Sequence, residues 1–195
     1  AKKTRTDLRQ EQIAQAALEI IGAVGLPGLS IAKIAQKVGI TASNIYRHYT
    51  NKEEVIDAVL DLVHHWLMDN INSAQSESPD ALECLEKVLL RHANMLKENP
   101  AVLLLMISAG QHGKKVRVLA ILQEYQSALK GIIVQGQKAG QLDLAFDAQS
   151  LVLIFMGVLL PAALMLNLTQ GAFDIGQHVS LSWPMYKKMI KKGVL

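Results

Sequence analysis

Residues 30–52, SIAKIAQKVGITASNIYRHYTNK, leave room for little except two short helices meeting at a tight turn. Ser30 can cap the first, its hydroxyl accepting from an orphan backbone N–H. Ile31, Ile34, Ala35 and Val38 recur at helical spacing and make one apolar face. Gly39 suits a left-handed stop. Ile40 packs, and Thr41 can cap a second helix, expected over residues 42–49, that buries Ile45 and Tyr49. Its other face offers Ser43, Asn44, Tyr46, Arg47 and His48. So little apolar surface does not justify a helix by packing alone. The pair reads as a helix-turn-helix, with the second helix the one that enters a DNA major groove.

The flanking sequence fits this unit. Ile13, Ala16, Ala17, Ile20, Ile21 and Val24 form a helical stripe, so a first helix is predicted over residues 8–23, stopped by Gly25 and a Leu26-Pro27-Gly28 turn. Asn51 and Glu54 resemble a capping box for a fourth helix, whose Val55, Val59, Leu62, Val63 and Trp66 share one stripe. That helix is expected to end near Ile71. The polar run NSAQSESP, residues 72–79, reads as a linker. Helices are then predicted over residues 80–98, 101–109, 114–139, from the cap Asp147 onward, and 175–192. Prolines are few and strand-like alternation is absent, which points to an all-α protein.

The string Gly39-Ile40-Thr41, Ile45-Tyr46, Tyr49 and Lys52 resembles the signature of the TetR/AcrR family of bacterial transcriptional regulators. The resemblance covers roughly the first third of the chain; beyond it only length and helical character match. It implies an N-terminal three-helix helix-turn-helix DNA-binding unit (residues 1–52), a connecting fourth helix (53–71) and a helical ligand-binding and dimerisation domain (72–195). It further implies a cytoplasmic homodimeric repressor on a palindromic double-stranded DNA operator, released by a small hydrophobic ligand.

The resemblance places base readout on Ala42, Ser43 and Arg47, and phosphate contact on Thr41, Asn44, Tyr46, His48 and Lys52. The chemistry agrees in part. Arg47 can bond a guanine O6/N7 pair, and Ala42 offers a methyl to thymine. The Tyr46 hydroxyl and the Lys52 ammonium, beside helix N-terminal N–H groups, suit phosphate. Lys33 is either a phosphate contact or a solvated charge. Ala32 occupies a site where some relatives carry a base-reading arginine, so that contact is absent. An N-terminal arm, residues 1–5, is either a minor-groove contact or a plain solvated terminus.

Charge distribution suits a phosphate-facing module. Residues 1–52 hold eight basic and three acidic side chains, a surplus of five, while the whole 195-residue chain carries only +3. The single cysteine, Cys84, excludes an internal disulfide and fits a reducing compartment. It reads as a buried small group or as a redox sensor. The start, AKKTRTDLRQ, is charged and unlike a signal peptide.

Residues 148–173 contain no charge. Such a run is long enough to span a membrane. Pro161 in its middle, Gln149, Ser150 and Asn167 near its ends, and the lack of a flanking basic cluster favour a helix buried all round. A membrane-anchored regulator is the alternative reading, and a helical carrier or enzyme a third. His64 and His65 point to different helix faces, and His92, His112 and His178 are isolated. No catalytic motif, metal set or cofactor site is evident, so no enzyme is expected. Trp66, His92, Met95, Met106, Gln111, Phe155 and Met156 are expected to line a ligand pocket, with His92 as its polar anchor and Asn94 or Gln111 as alternatives. A ligand pushing Trp66 is expected to swing the fourth helix and with it the recognition helix.

Overall fold

The computed structural model describes residues 4–191 and Gly193. It is all-α: α1 (Arg5–Val24), α2 (Ile31–Val38), α3 (Ala42–Tyr46), α4 (Lys52–Glu77), α5 (Ala81–Glu98), α6 (Ala101–Gln111), α7 (Lys115–Lys138), α8 (Ala148–Leu168) and α9 (Ile175–Ile190). The N-terminal arm falls largely outside the described residues, as does Lys192 at the expected end of the last helix.

Two compact units arise. The first joins residues 1–65 with 101–120, and the second joins 66–100 with 121–195. The long helices α4 and α7 each run through both. In the first unit α1 packs on α2 and on α6. Ile13, Ala17, Ile21, Ile34, Ile45, Val55, Val59, Val63 and Leu105 are fully buried there. Ion pairs tie the start of α7 to α4: Lys114 Nζ lies 2.7 Å from Asp57 and 3.7 Å from Glu53, and Arg117 pairs with Asp61. In the second unit α5 packs on both α8 and α9. Leu85, Val88, Leu129, Ile133, Val152, Phe155, Val179 and Ile190 form its core.

Several helix boundaries depart from the sequence expectation. α1 begins at Arg5, because Thr4 and Asp7 form a reciprocal capping box ahead of the apolar stripe. Val24, expected on that stripe, is 51% exposed. α3 ends at Tyr46 rather than Tyr49, since the Ile45 carbonyl accepts from both His48 and Tyr49 N–H and the turn tightens.

The largest correction concerns residues 72–77, which are helix and not linker. Ile71 and Ala74 continue the buried stripe of α4 beyond its last bulky sequence signal. Asn72 between them is exposed, and Ser73 is half-buried. Termination comes from Pro79, which disfavours helical backbone at Ser78, and from Asp80, whose side chain caps α5 at the Glu83 N–H. In the capping of α4, Asn51 Oδ1 accepts from Glu54 N–H as expected, but the Glu54 carboxylate returns to Thr50 instead of Asn51.

α8 is long and apolar enough to cross a membrane by length and composition. Yet Leu151, Val152, Phe155, Leu159, Ala162, Ala163 and Leu166 are buried against the unit's own helices. The loop before it is held by buried Gln137, whose Nε2 donates to the Asp143 and Phe146 carbonyls at 2.9 Å.

One close approach gives a test of this packing. A Cβ at Gly136 of α7 would lie 2.5 Å from Ala81 Cβ and 2.9 Å from Leu142 Cδ1. Gly136→Ala should therefore destabilise by about 1–3 kcal/mol through overpacking, despite a helix-propensity gain of about 1 kcal/mol. Urea unfolding checks it; an unchanged midpoint would show that α5 and α7 are less closely packed there.

Candidate functional site

Local chemistry builds the α2–α3 turn. Ser30 Oγ accepts from Lys33 N–H at 3.3 Å, and Thr41 Oγ1 accepts from Asn44 N–H at 3.3 Å. Gly39 between them adopts φ 73°, ψ 36°, a left-handed conformation that costs glycine nothing. Ile45 is fully buried and anchors α3. Tyr49 is also buried, and its hydroxyl donates to the Gln10 carbonyl of α1 at 3.4 Å. Burial first, then the Asp61 carboxylate, pushes that hydroxyl's pKa up to about 12, so it stays a donor.

With α3 held from behind, Thr41, Ser43, Asn44, Tyr46 and Arg47 are exposed, Tyr46 by 55%, while Ala42 and His48 are half-buried. Lys52 is the first residue of α4. Lys33 Nζ donates to the Gly28 carbonyl at 2.9 Å, which holds its charge beside the turn that precedes α2. A groove of about 520 Å³ elsewhere in the same unit is lined by Asp7, Glu11, Glu54, Asp57 and Asp61 together with His48 and Tyr49. Asp57 and Asp61 are the carboxylates paired with Lys114 and Arg117.

The second unit contains a cavity of about 520 Å³ lined only by α4, α5 and the adjoining Asn99. Trp66, His92 and Met95, all expected pocket residues, line it, as does Asn94. Met106 and Gln111 lie instead on α6, in the other unit. Phe155 is fully buried in the α8 core, edge-on to Tyr186 with ring centroids 5.7 Å apart. Met156 is on α8 and is not part of the lining. Sequence reasoning missed Asp69, Asn70, Ser73, Glu77, Arg91 and Glu98. They bring charge to a pocket expected to take a hydrophobic ligand. Their signal was the spacing 66, 70, 73, 77, legible only once α4 is known to continue to Glu77.

His92 Nδ1 lies 2.8 Å from the Tyr125 hydroxyl, the rings edge-to-face. Burial raises the pKa of the Tyr125 hydroxyl and lowers that of the imidazole to about 4, so both are neutral at pH 7. With the phenol as donor to Nδ1, the proton of His92 sits on Nε2. Stability follows. Below about pH 6.5 the unfolded chain takes up a proton that the folded ring refuses, so stability is lost as pH falls toward 4. Between pH 7.5 and 5 this residue should account for roughly 2 kcal/mol of lost stability. His92→Gln, which keeps an acceptor for the phenol, should flatten the profile by that amount in denaturant titrations at the two pH values. An unchanged slope would mean the imidazole is solvated.

Cys84 is buried, and burial raises its thiol pKa, which disfavours the reactive thiolate.

A capped helix-turn-helix with a solvent-facing second helix, followed by a helical body with an open cavity, defines the class of helix-turn-helix regulatory proteins. Residues 13–59 match the family described as bacterial regulatory proteins, tetR family. It is similar to the nucleoid occlusion factor SlmA of Vibrio vulnificus strain YJ016, 30% identical over 99 residues, half of each chain. The chain thus spans about half the length of such relatives. Among solved structures, the fatty acid degradation regulator FadR of Bacillus halodurans has a TM-score of 0.81 at 20% identity, covering 95% of this chain and 96% of that one. FadR of Bacillus subtilis in complex with stearoyl-CoA has a TM-score of 0.79 at 20% identity, covering 90% and 96%. These likenesses establish the fold.

Proposed function

We propose that this chain is a sequence-specific DNA-binding transcriptional regulator, a cytoplasmic homodimeric repressor released from a palindromic operator by a small hydrophobic ligand. The observation that carries the reading is α3: Ile45 fixes it from behind, and Ser43, Asn44, Tyr46 and Arg47 are left exposed. Ser43, Arg47 and the Ala42 methyl read bases. Thr41, Asn44, Tyr46, His48 and Lys52 hold phosphates, with Lys33 at the margin.

A second copy of the chain supplies the other half-site. The support is an apolar surface that α8 and α9 leave uncovered: Leu153, Ile154, Leu160, Leu164, Leu168, Leu181 and Met185 are each 46–74% exposed. Contiguous apolar surface of this kind marks an association face. Pairing these helices with their two-fold mates makes a four-helix interface. Because α8 buries one face in its own unit and offers the other to a partner, its lack of charge needs no bilayer.

The α4–α5 cavity is the ligand site in this reading, and α4 is a continuous helix from Lys52 to that cavity. A ligand releases DNA only by binding the DNA-incompetent state better, and a hundredfold release needs roughly 2.7 kcal/mol of coupling. A coenzyme A thioester, as held by the Bacillus subtilis FadR, suits this cavity poorly, since its phosphates would meet Asp69, Glu77 and Glu98. The test is fluorescence anisotropy with a pool of palindromic duplexes at low salt, followed by selection. No enrichment of any duplex over a scrambled one would end the proposal.

A further inference from the structure

The cavity lining carries a specific charge. Asp69, Glu77 and Glu98 contribute three carboxylates, and Arg91 is its one lysine or arginine. That guanidinium is already committed: Arg91 Nη2 lies 2.7 Å from each carboxylate oxygen of Glu77. Glu77 is also 3.5 Å from Lys87 and is held well below the usual carboxylate range, chiefly by the Arg91 hydrogen bond. Asp69 and Glu98 have no such cation among the described residues. His92 is neutral and adds nothing to the balance.

Two further features favour a particular kind of occupant. Trp66, Leu67 and Met95 supply an apolar wall, and an indole face attracts cations. Asn70 Nδ2 donates to the Val88 carbonyl at 2.9 Å, while Asn70 Oδ1 is buried with no partner. Turning the amide over would set its oxygen against the carbonyl, so the orientation is fixed. Asn70 lines the cavity, and its oxygen, buried without a donor, is an acceptor that an N–H or O–H reaching it would satisfy.

We propose that this cavity takes a hydrophobic organic cation, an ammonium or amidinium group with N–H donors on an aromatic or aliphatic body, in preference to a neutral or anionic ligand of the same shape. This rests on reading the cavity as a ligand site. It adds a charge to the hydrophobic ligand of that reading: Trp66, Leu67 and Met95 hold the body, and Asp69 and Glu98 hold the cation.

The experiment uses two dansyl probes of equal length on the full chain, N-dansylcadaverine with a terminal ammonium and N-dansyl-6-aminohexanoate with a terminal carboxylate. Dansyl emission reports binding. The amine should bind about tenfold tighter or better. The chain's net charge of +3 works against that preference, so it would report the local lining. Asp69→Asn with Glu98→Gln should remove most of it. Both side chains are exposed, and a circular dichroism melt checks folding. Raising salt should shrink the preference in the unmodified chain as an independent reading. Equal binding, tighter binding of the carboxylate, no binding of either, or a preference untouched by the double variant would each overturn the proposal. If the amine binds as described but DNA affinity does not respond to it, the charge preference stands and the repressor-release reading fails.

Discussion

Replacing Leu160 and Leu164 of α8 together by glutamate should give a folded monomer and raise the DNA dissociation constant on the order of a thousandfold, toward non-specific values. The two side chains are 51% and 49% exposed in the single chain, so the isolated protomer tolerates charge there. In a two-fold dimer the same positions meet their own copies. Four carboxylates would then be desolvated at an apolar contact with no cations to pair them, which costs far more than the interface returns. A monomer retains one recognition helix and loses the second half-site. Light scattering at micromolar concentration, alongside anisotropy on the selected duplex, checks both parts. A variant that remains a dimer would remove α8 from the interface.

DNA affinity should fall by about three to five powers of ten between 50 and 200 mM salt if a dimer makes six to ten phosphate contacts. Variants then separate the two kinds of contact proposed for this surface. Lys52→Ala should weaken all sequences alike and lower the salt slope by about one for each half-site. Arg47→Ala should leave the slope nearly unchanged and relax preference at particular base pairs, at a cost of about 1–3 kcal/mol for a lost bidentate contact. Arg47 is exposed and Lys52 half-buried at the start of α4, so neither change removes core packing. Equal losses on every sequence for Arg47→Ala would reassign it to phosphate.

The division between what is local and what is tertiary runs through both sites. The helix-turn-helix was legible because its devices act within four residues. Ser30 and Thr41 cap by bonding the N–H three positions on, Gly39 takes a backbone region closed to most side chains, and Ile45 and Tyr49 bury at helical spacing. The same locality explains why the cap at Asp147 could be read. The cavity was legible only in part. Trp66, His92 and Met95 stood out as bulky groups, but Glu77 beside them did not, because polar residues 72–77 look like linker until Ile71 and Ala74 find a neighbour to pack on, and Asp69 and Glu98, in predicted helices, look like ordinary solvated charges until α4 and α5 are side by side. α8 poses the same problem in apolar form. Its sequence is hydrophobic all round and contains no stripe that picks out a face. Only packing decided that Phe155 enters the core while Leu153, Leu160 and Leu164 stay outside. Caps and left-handed glycines are short-range interactions, determined by the sequence itself. Which face of a uniformly apolar or uniformly polar helix is buried depends on helices distant in the chain, and the tertiary structure alone decides it.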